Sequence, residues 1–148
     1  MHFTESQLQG RAIEDLVCSV IQKTYPNSFV IDGYCKDYDI YIPELDAGVE
    51  VKSDQMSQYT GNIVIEVEMN GKKSGITTTQ ARFWVFFTGQ KWIIMTPEQI
   101  KQACKTEALY GFTGDGDNRM KKAYLIRQEK LEKFATRIVS KENLDYLL

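Results

Sequence analysis

Five consecutive apolar residues, Phe83 to Phe87, constrain the fold of this chain more than any other segment. Successive side chains of a β-strand point to opposite faces, so a strand that is apolar throughout must be covered on both sides. The run therefore predicts a buried central strand. After the turn at Thr88-Gly89-Gln90, the segment Lys91 to Met95 predicts a further strand.

The first half of the chain predicts a helix followed by strands. Thr4-Glu5-Ser6-Gln7 matches a capping box, and apolar residues at helical spacing continue to about Tyr25. Short polar breaks then separate three predicted strands, which we expect to form a meander. In a fourth predicted strand, one face has Ile63, Ile65 and Val67 and the other has Asn62, Val64, Glu66 and Glu68, so its two faces should differ. The four predicted strands cover residues 28–35, 38–42, 48–53 and 62–68.

The second half predicts further helices around the central strand. Residues 77–81 predict a short helix, and Thr96-Pro97-Glu98-Gln99 predicts a helix start that should run to about residue 109. The glycine- and aspartate-rich residues 110–119 predict a loop, followed by a short strand at 123–126 and one or two basic helices. Together these elements predict one α/β domain over residues 1–148, with a mixed central sheet flanked by helices and basic C-terminal helices from about 119.

Cysteine and histidine usage excludes several classes of site. The three cysteines, Cys18, Cys35 and Cys104, are odd in number and widely separated, which argues against a disulfide framework or a zinc knuckle and favours a reducing compartment. His2, the lone histidine, lies beside the start methionine. Histidine-based triads and HExxH zinc sites, which need a fixed internal imidazole, are therefore not expected. Any catalysis should depend on carboxylates, lysine and metal.

The chain also lacks the features of a membrane or exported protein. No basic segment followed by an apolar one opens the sequence, and no apolar run approaches the roughly 20 residues that a bilayer requires. We therefore expect a cytoplasmic protein with no membrane partner.

Charge is distributed unevenly along the chain, although the net charge is only −2. Residues 1–68 hold twelve acidic against four basic residues, a net of −8, whereas residues 119–148 hold eight basic against four acidic residues, a net of +4. An acidic half can hold a divalent cation, and a basic tail can track phosphates. A solvated amphipathic helix is the alternative interpretation of the tail.

The triplet Glu50-Val51-Lys52 carries the chemical prediction. Alternate residues of a strand share a face, which places the carboxylate and the ammonium together. Asp39 lies eleven residues upstream in the preceding predicted strand, so a hairpin can bring its carboxylate beside that of Glu50. The two carboxylates and the carbonyl of Val51 would form a hard oxygen site suited to Mg²⁺. An exposed strand pair without function is the alternative.

Lys52 and Glu14 extend this candidate site. Lys52, close to the metal, could orient the attacking water and stabilise the pentavalent phosphate. Glu14 lies at the edge of the apolar stripe of the first predicted helix, where a carboxylate needs a partner such as a metal site or Lys52. A buried, hydrogen-bonded glutamate is the alternative. Glu66 and Glu68 share one face of the fourth predicted strand and are either site residues or edge charges.

These residues resemble the PD-(D/E)XK, or restriction-endonuclease-like, nucleases, particularly small archaeal Holliday-junction resolvases and compact phage endonucleases. In that family a helix contributes a glutamate, a hairpin strand the aspartate, and the next strand E-x-K. The positions here are Glu14, Asp39, Glu50 and Lys52, with Tyr38 where the named pattern has proline. The resemblance covers roughly residues 8–95, and it implies a polar helix residue near the site, for which Gln80 is the candidate.

The resemblance implies an αβββαβ core and Mg²⁺-dependent hydrolysis of DNA, with Mn²⁺ able to substitute. Two alternatives stay open. One is a structure-specific junction resolvase that works as a homodimer. The other is a degenerate nuclease fold that only binds nucleic acid or a protein partner. The sequence does not give the shape of the substrate, its polarity or its sequence preference.

Overall fold

The computed structural model of the chain describes residues 5–33, 37–113 and 120–148, with side chains from residue 9 onward. These residues form an α/β fold with one mixed sheet, one antiparallel sheet and several helices. None of the helices in these ranges is long and apolar enough to cross a membrane.

The helices and strands of the described residues have the following bounds. The α-helices are α1 Glu5–Gln22, α2 Ser57–Thr60, α3 Pro97–Cys104 and α4 Gln128–Glu132. The strands are β1 Phe29–Val30, β2 Ile40–Ile42, β3 Ala47–Ser53, β4 Asn62–Met69, β5 Lys72–Lys73, β6 Phe83–Phe87, β7 Lys91–Met95, β8 Leu109–Thr113, β9 Met120–Arg127 and β10 Arg137–Ser140. Three 3-10 helices cover Pro43–Leu45, Gly75–Thr77 and Lys141–Tyr146.

The larger sheet has six strands in the order β1-β2-β3-β6-β7-β10. Its only parallel pair within the described residues is β3 with β6, and the other neighbours run antiparallel. The smaller sheet has the order β5-β4-β9-β8 and is antiparallel throughout. The expected mixed sheet is therefore present, together with a second sheet that we did not predict.

Strand β6 confirms the prediction of a buried central strand. Trp84 and Phe86 on one face belong to an apolar cluster shared with the smaller sheet, α3 and α4. Val85 and Phe87 on the other face belong to a second cluster shared with α1 and the end of the chain. Each of these four side chains is at most 6% exposed. Both faces of the large sheet are thus covered, as an apolar strand requires.

Helix α1 covers one face of the large sheet because its apolar residues recur at helical spacing. Ile13, Val17 and Ile21 are buried and pack in the same cluster as Val49 of β3 and Val85 of β6. Thr4, which we expected to cap this helix, lies outside the described residues. The helix itself confirms the prediction.

The segment between β3 and β6 departs from the expected arrangement. The helix predicted at residues 77–81 is replaced by the 3-10 helix Gly75–Thr77, preceded by α2, β4 and β5. Threonine side chains explain the difference, because they bond groups outside a helix: Thr77 Oγ1 donates to the carbonyl of Val67, and Thr79 Oγ1 accepts from the indole N–H of Trp84. Strand β4 confirms its predicted alternation, with Ile63 and Ile65 fully buried.

The last third of the chain is more extended than we predicted. Helix α3 begins at Pro97 as expected but ends at Cys104, and β8 occupies residues that we assigned partly to a loop. Residues 114–119, the rest of that loop, lie outside the described residues. The prediction of basic helices beyond the strand at 123–126 is wrong in part. The short α4 is followed by β10, because that segment pairs with the open edge of β7.

Candidate active site

The hairpin of β2 and β3 places Glu50 and Lys52 on one face of the large sheet. The 3-10 turn Pro43–Leu45 joins the two strands, and Ile40 pairs with Val49. Val49 faces the cluster that contains α1. Because side chains alternate along a strand, Glu50 and Lys52 face the opposite side, toward the smaller sheet.

Gly48 and Tyr38 fix the start of this hairpin. A side-chain carbon on Gly48 would lie 2.2 Å from the ring of Tyr38, so only glycine lets the ring lie against the strand. The same ring stacks on that of Tyr41, with centroids 5.9 Å apart. Tyr38 therefore packs against β3 immediately before Asp39. The sequence offered no pattern from which this contact could be predicted.

Lys52 is held between a carboxylate and an aromatic ring. Its Nζ lies 3.8 Å from Oε2 of Glu50 and 5.6 Å from the ring centroid of Trp84. Strands β3 and β6 are parallel, and Trp84 is the register partner of Glu50. The side chain of Lys52 is 49% exposed and that of Glu50 only 21%. The ammonium group is thus solvent-accessible but oriented by two neighbours.

A polar cavity of about 250 Å³ opens beside this pair. Trp84 does not line the cavity itself, but its indole N–H donates a hydrogen bond of 3.0 Å to Oγ1 of Thr79, which does. The structure thus brings together Glu50, Lys52 and Gln80 of the predicted site. The described residues that line the cavity are Asp37, Glu50, Lys52, Glu66, Gly75, Thr78, Thr79 and Gln80.

Glu66 is a cavity residue with its own partners. Ser74 Oγ donates to its Oε2 at 2.8 Å, and Lys121 Nζ lies 3.9 Å from its Oε1. Glu68 pairs instead with Lys122 at 3.3 Å and does not line the cavity. Of the two glutamates that the sequence left undecided, Glu66 therefore lines the cavity and Glu68 does not.

Asp39 contacts the backbone of β3 and does not line the cavity. It is 9% exposed, and its Oδ2 accepts a hydrogen bond of 2.7 Å from the N–H of Val51. Its own N–H donates to the carbonyl of Val49 at 3.0 Å. The carboxylate thus continues the pairing of β2 with β3 beside Glu50. We did not expect this structural role.

The same contact orients the carbonyl of Val51. The N–H and C=O of one residue in an extended strand point to the same edge. Because the N–H of Val51 points toward Asp39, its carbonyl is directed to that edge as well.

No group of three or more histidine, cysteine, aspartate or glutamate side chains in the described ranges is arranged to hold a metal ion.

Glu14 is not placed with the other site residues. It is half-buried on α1, and α1 packs on the face of the large sheet opposite to Glu50 and Lys52. It does not line the cavity. Sequence spacing correctly put Glu14 at the edge of the apolar stripe, but spacing alone does not show on which face of a sheet a helix packs.

Asp54, just beyond β3, is a further carboxylate that the sequence analysis did not single out. Its Oδ2 accepts from the N–H of Val64 at 3.0 Å, which ties the end of β3 to the smaller sheet. Burial raises the pKa of this carboxyl above its usual value, while hydrogen bonds from Val64 and Ser57 oppose the rise. Asp54 is thus a structural link between the two sheets.

No family model, no curated protein and no solved structure matches the chain.

Proposed function

We propose that this chain is a metal-dependent endonuclease that hydrolyses DNA, with a site of the PD-(D/E)XK kind. One observation carries the proposal: Glu50 and Lys52 share a face of β3 and line one polar cavity, while the carboxylate of Asp39 is bonded to the backbone between them. In metal-assisted phosphodiester cleavage, carboxylates would hold the cation and a solvent-accessible lysine beside it would stabilise charge on the phosphate.

The oxygen donors of the proposed site are of the chemical type that a hard divalent cation such as Mg²⁺ prefers, with Mn²⁺ as a substitute. Asp39 and Glu50 would supply carboxylate oxygens, and Val51 its carbonyl, which is directed to the edge where Asp39 lies. Two carboxylates and one carbonyl suit an ion that keeps several water ligands. A bound ion would activate water near neutral pH and offset charge on the phosphate oxygens.

Lys52 would orient the attacking water and stabilise charge on the phosphate. Its ammonium group is positioned for this role by Glu50 and the ring of Trp84. Gln80, which also lines the cavity, could hold the substrate through its amide group. These assignments use groups that are already positioned before substrate binds, which is how electrostatic stabilisation acts.

The order α1, β1, β2, β3 supports a restriction-endonuclease-like core, and the parallel β6 beside β3 extends the same sheet. The αβββαβ pattern has a helix between β3 and β6, and in that interval this chain has the four-residue α2 followed by β4, β5 and the 3-10 helix Gly75–Thr77.

A second candidate function is a nuclease-like fold that binds nucleic acid or a protein partner without cleaving. One observation favours it: Glu50 already pairs with Lys52, and Asp39 already bonds to Val51. In such a protein these contacts would be purely structural, and added metal would bind weakly or not at all.

One experiment separates the two functions. The protein is incubated with linear, circular, single-stranded and four-way-junction DNA, each with Mg²⁺, Mn²⁺ or EDTA, beside Glu50→Gln as a matched control. We expect cleavage that needs metal and is lost in the variant. Cleavage of no substrate, together with no Mn²⁺ binding by calorimetry, would reject the nuclease and favour the binding protein.

A further inference from the structure

Four lysines gather at one end of the smaller sheet. Strand β4 lies between β5 and β9, and Met69 is the register partner of both Lys72 and Lys121. Glu68 is likewise the partner of both Lys73 and Lys122. We call this group, Lys72, Lys73, Lys121 and Lys122, the lysine end.

A tight turn holds the lysine end in place. Asn70 and Gly71, which join β4 to β5, have φ of +51° and +79°, values typical of a two-residue hairpin turn. The N–H of Asn70 donates to the carbonyl of Met120 at 2.7 Å, and its Oδ1 accepts from the N–H of Met120 at 2.9 Å. The turn is therefore fastened to β9, so the lysines of both strands keep one arrangement.

The lysine end carries an excess of positive charge. Lys72 and Lys73 are exposed, and neither has an ion-pair partner among the described residues. Lys121 and Lys122 pair with Glu66 and Glu68 at 3.9 and 3.3 Å. Lys72 and Lys121 project from one face of this end of the sheet, and Lys73 and Lys122 project from the other. Among the described residues, the four ammonium groups have two carboxylate partners, and the two unpaired ammonium groups are on the hairpin.

The lysine end is continuous with the candidate active site. Ser74, the residue after Lys73, donates to Glu66, and Gly75 lines the cavity beside Glu50. Lys121 also contacts Glu66. A polyanion lying on the lysines would therefore meet the cavity wall within two residues of Lys73.

We propose that the lysine end binds the phosphate backbone of DNA and leads it into the cavity of Glu50 and Lys52. The inference rests on the proposed function, and it names the surface that holds the substrate. Ammonium groups bind phosphates without reading sequence, and they displace the counterions condensed on DNA.

The lysine end includes Lys121 and Lys122 from the start of the basic tail, whereas several tail cations beyond Ile126 have partners within the protein. In the tail, Arg127 pairs with Glu129 at 3.6 Å, and Lys130 bonds to Glu107 at 2.6 Å. Arg137 donates to the carbonyl of Tyr146. Three of the tail cations are thus engaged within the protein, whereas neither hairpin lysine has an ion-pair partner in the part of the chain that the structure describes.

The test compares two double variants of equal charge. Lys72→Gln with Lys73→Gln removes the hairpin cations, and Lys133→Gln with Lys141→Gln removes two exposed tail cations as the control. Binding of a labelled duplex is measured in EDTA between 50 and 200 mM salt, with circular dichroism to verify folding. The slope of log affinity against log salt should fall by about 2 in the hairpin variant and stay unchanged in the control. Glu68→Gln, which releases Lys122, should raise affinity.

The outcomes separate this inference from the nuclease proposal. An unchanged slope in the folded hairpin variant, or no binding of DNA by the wild type, overturns the lysine end as the DNA surface. An equal fall in the control overturns it too, because the effect would then reflect net charge. A fall confined to the hairpin variant, in a protein that never cleaves DNA with Mg²⁺ or Mn²⁺, supports the surface and rejects the nuclease.

Discussion

Replacing Asp39 should affect both stability and cleavage, and the two effects can be measured separately. In Asp39→Ala the N–H of Val51 loses its acceptor at 2.7 Å, in a place where water has little access because Asp39 is 9% exposed. An unsatisfied donor of this kind costs about 1–3 kcal/mol. We expect about 1–2 kcal/mol, since the bond is only partly buried. Asp39→Asn keeps an acceptor oxygen, so it should cost less than alanine.

The assay combines urea denaturation with single-turnover cleavage in Mg²⁺. Alanine should lower the free energy of unfolding and abolish cleavage. Asparagine should retain most of the stability and still lose cleavage, because a neutral amide is a poor ligand for Mg²⁺. Equal stability of wild type and Asp39→Ala would refute the backbone contact, and near-normal cleavage by folded Asp39→Asn would refute metal binding by this carboxylate.

Three further predictions concern other residues. Lys52→Ala and Lys52→Met should both lose cleavage while calorimetric Mn²⁺ affinity holds or rises; rates within a few-fold of wild type would make the lysine merely structural. Because burial raises the pKa of Asp54 in the folded protein, its charge destabilises the fold at neutral pH, and this cost disappears as the pH falls through the raised pKa. Relative to wild type, Asp54→Asn should therefore have a higher free energy of unfolding at pH 7 than at pH 4, as measured by urea titrations. At pH 7 the variant should be at least as stable as wild type, and a less stable variant would contradict this reasoning. Phe86→Ala, at a site 1% exposed, should lower the free energy of unfolding by about 3–5 kcal/mol, and a loss below about 1 kcal/mol would show that the core closes around the gap.

Sequence patterns within single segments correctly predicted the strands, the helix and the shared strand face that depend on residues close together in the chain. The apolar run of β6 gave a central strand, and the spacing of Glu50 and Lys52 gave a shared face. The helix α1 and the alternation of β4 follow from periodicity in the same way. Each of these features depends on residues close together in the sequence.

Features that depend on distant pairing were not predicted. Strand β8 has mostly exposed residues and exists because it pairs with β9, and β10 exists because it pairs with β7. The hairpin turn at Asn70-Gly71 is different. Its dipeptide is a strong local signal for a two-residue turn, and a closer interpretation of that signal would have found β5.

The basic C-terminal segment must also be reinterpreted for experiments. Removing everything after Ile126 would delete β10 and the fully buried Leu131, as well as the carbonyl of Lys141 that accepts from the indole of Trp92. Truncation would therefore test stability together with DNA affinity. Point substitutions of the tail lysines are the cleaner measure of its charge.

The position of β10 at the end of the large sheet has a consequence for synthesis of the chain. Strand β7 leaves the ribosome more than forty residues before its outer partner does. During that interval its unpaired N–H and C=O groups offer an edge to which another chain can add. Ribosomes translating one message in close succession would hold several such edges near each other. Aggregation of this protein should therefore be greatest during rapid expression, and slower translation or lower temperature should increase the folded yield.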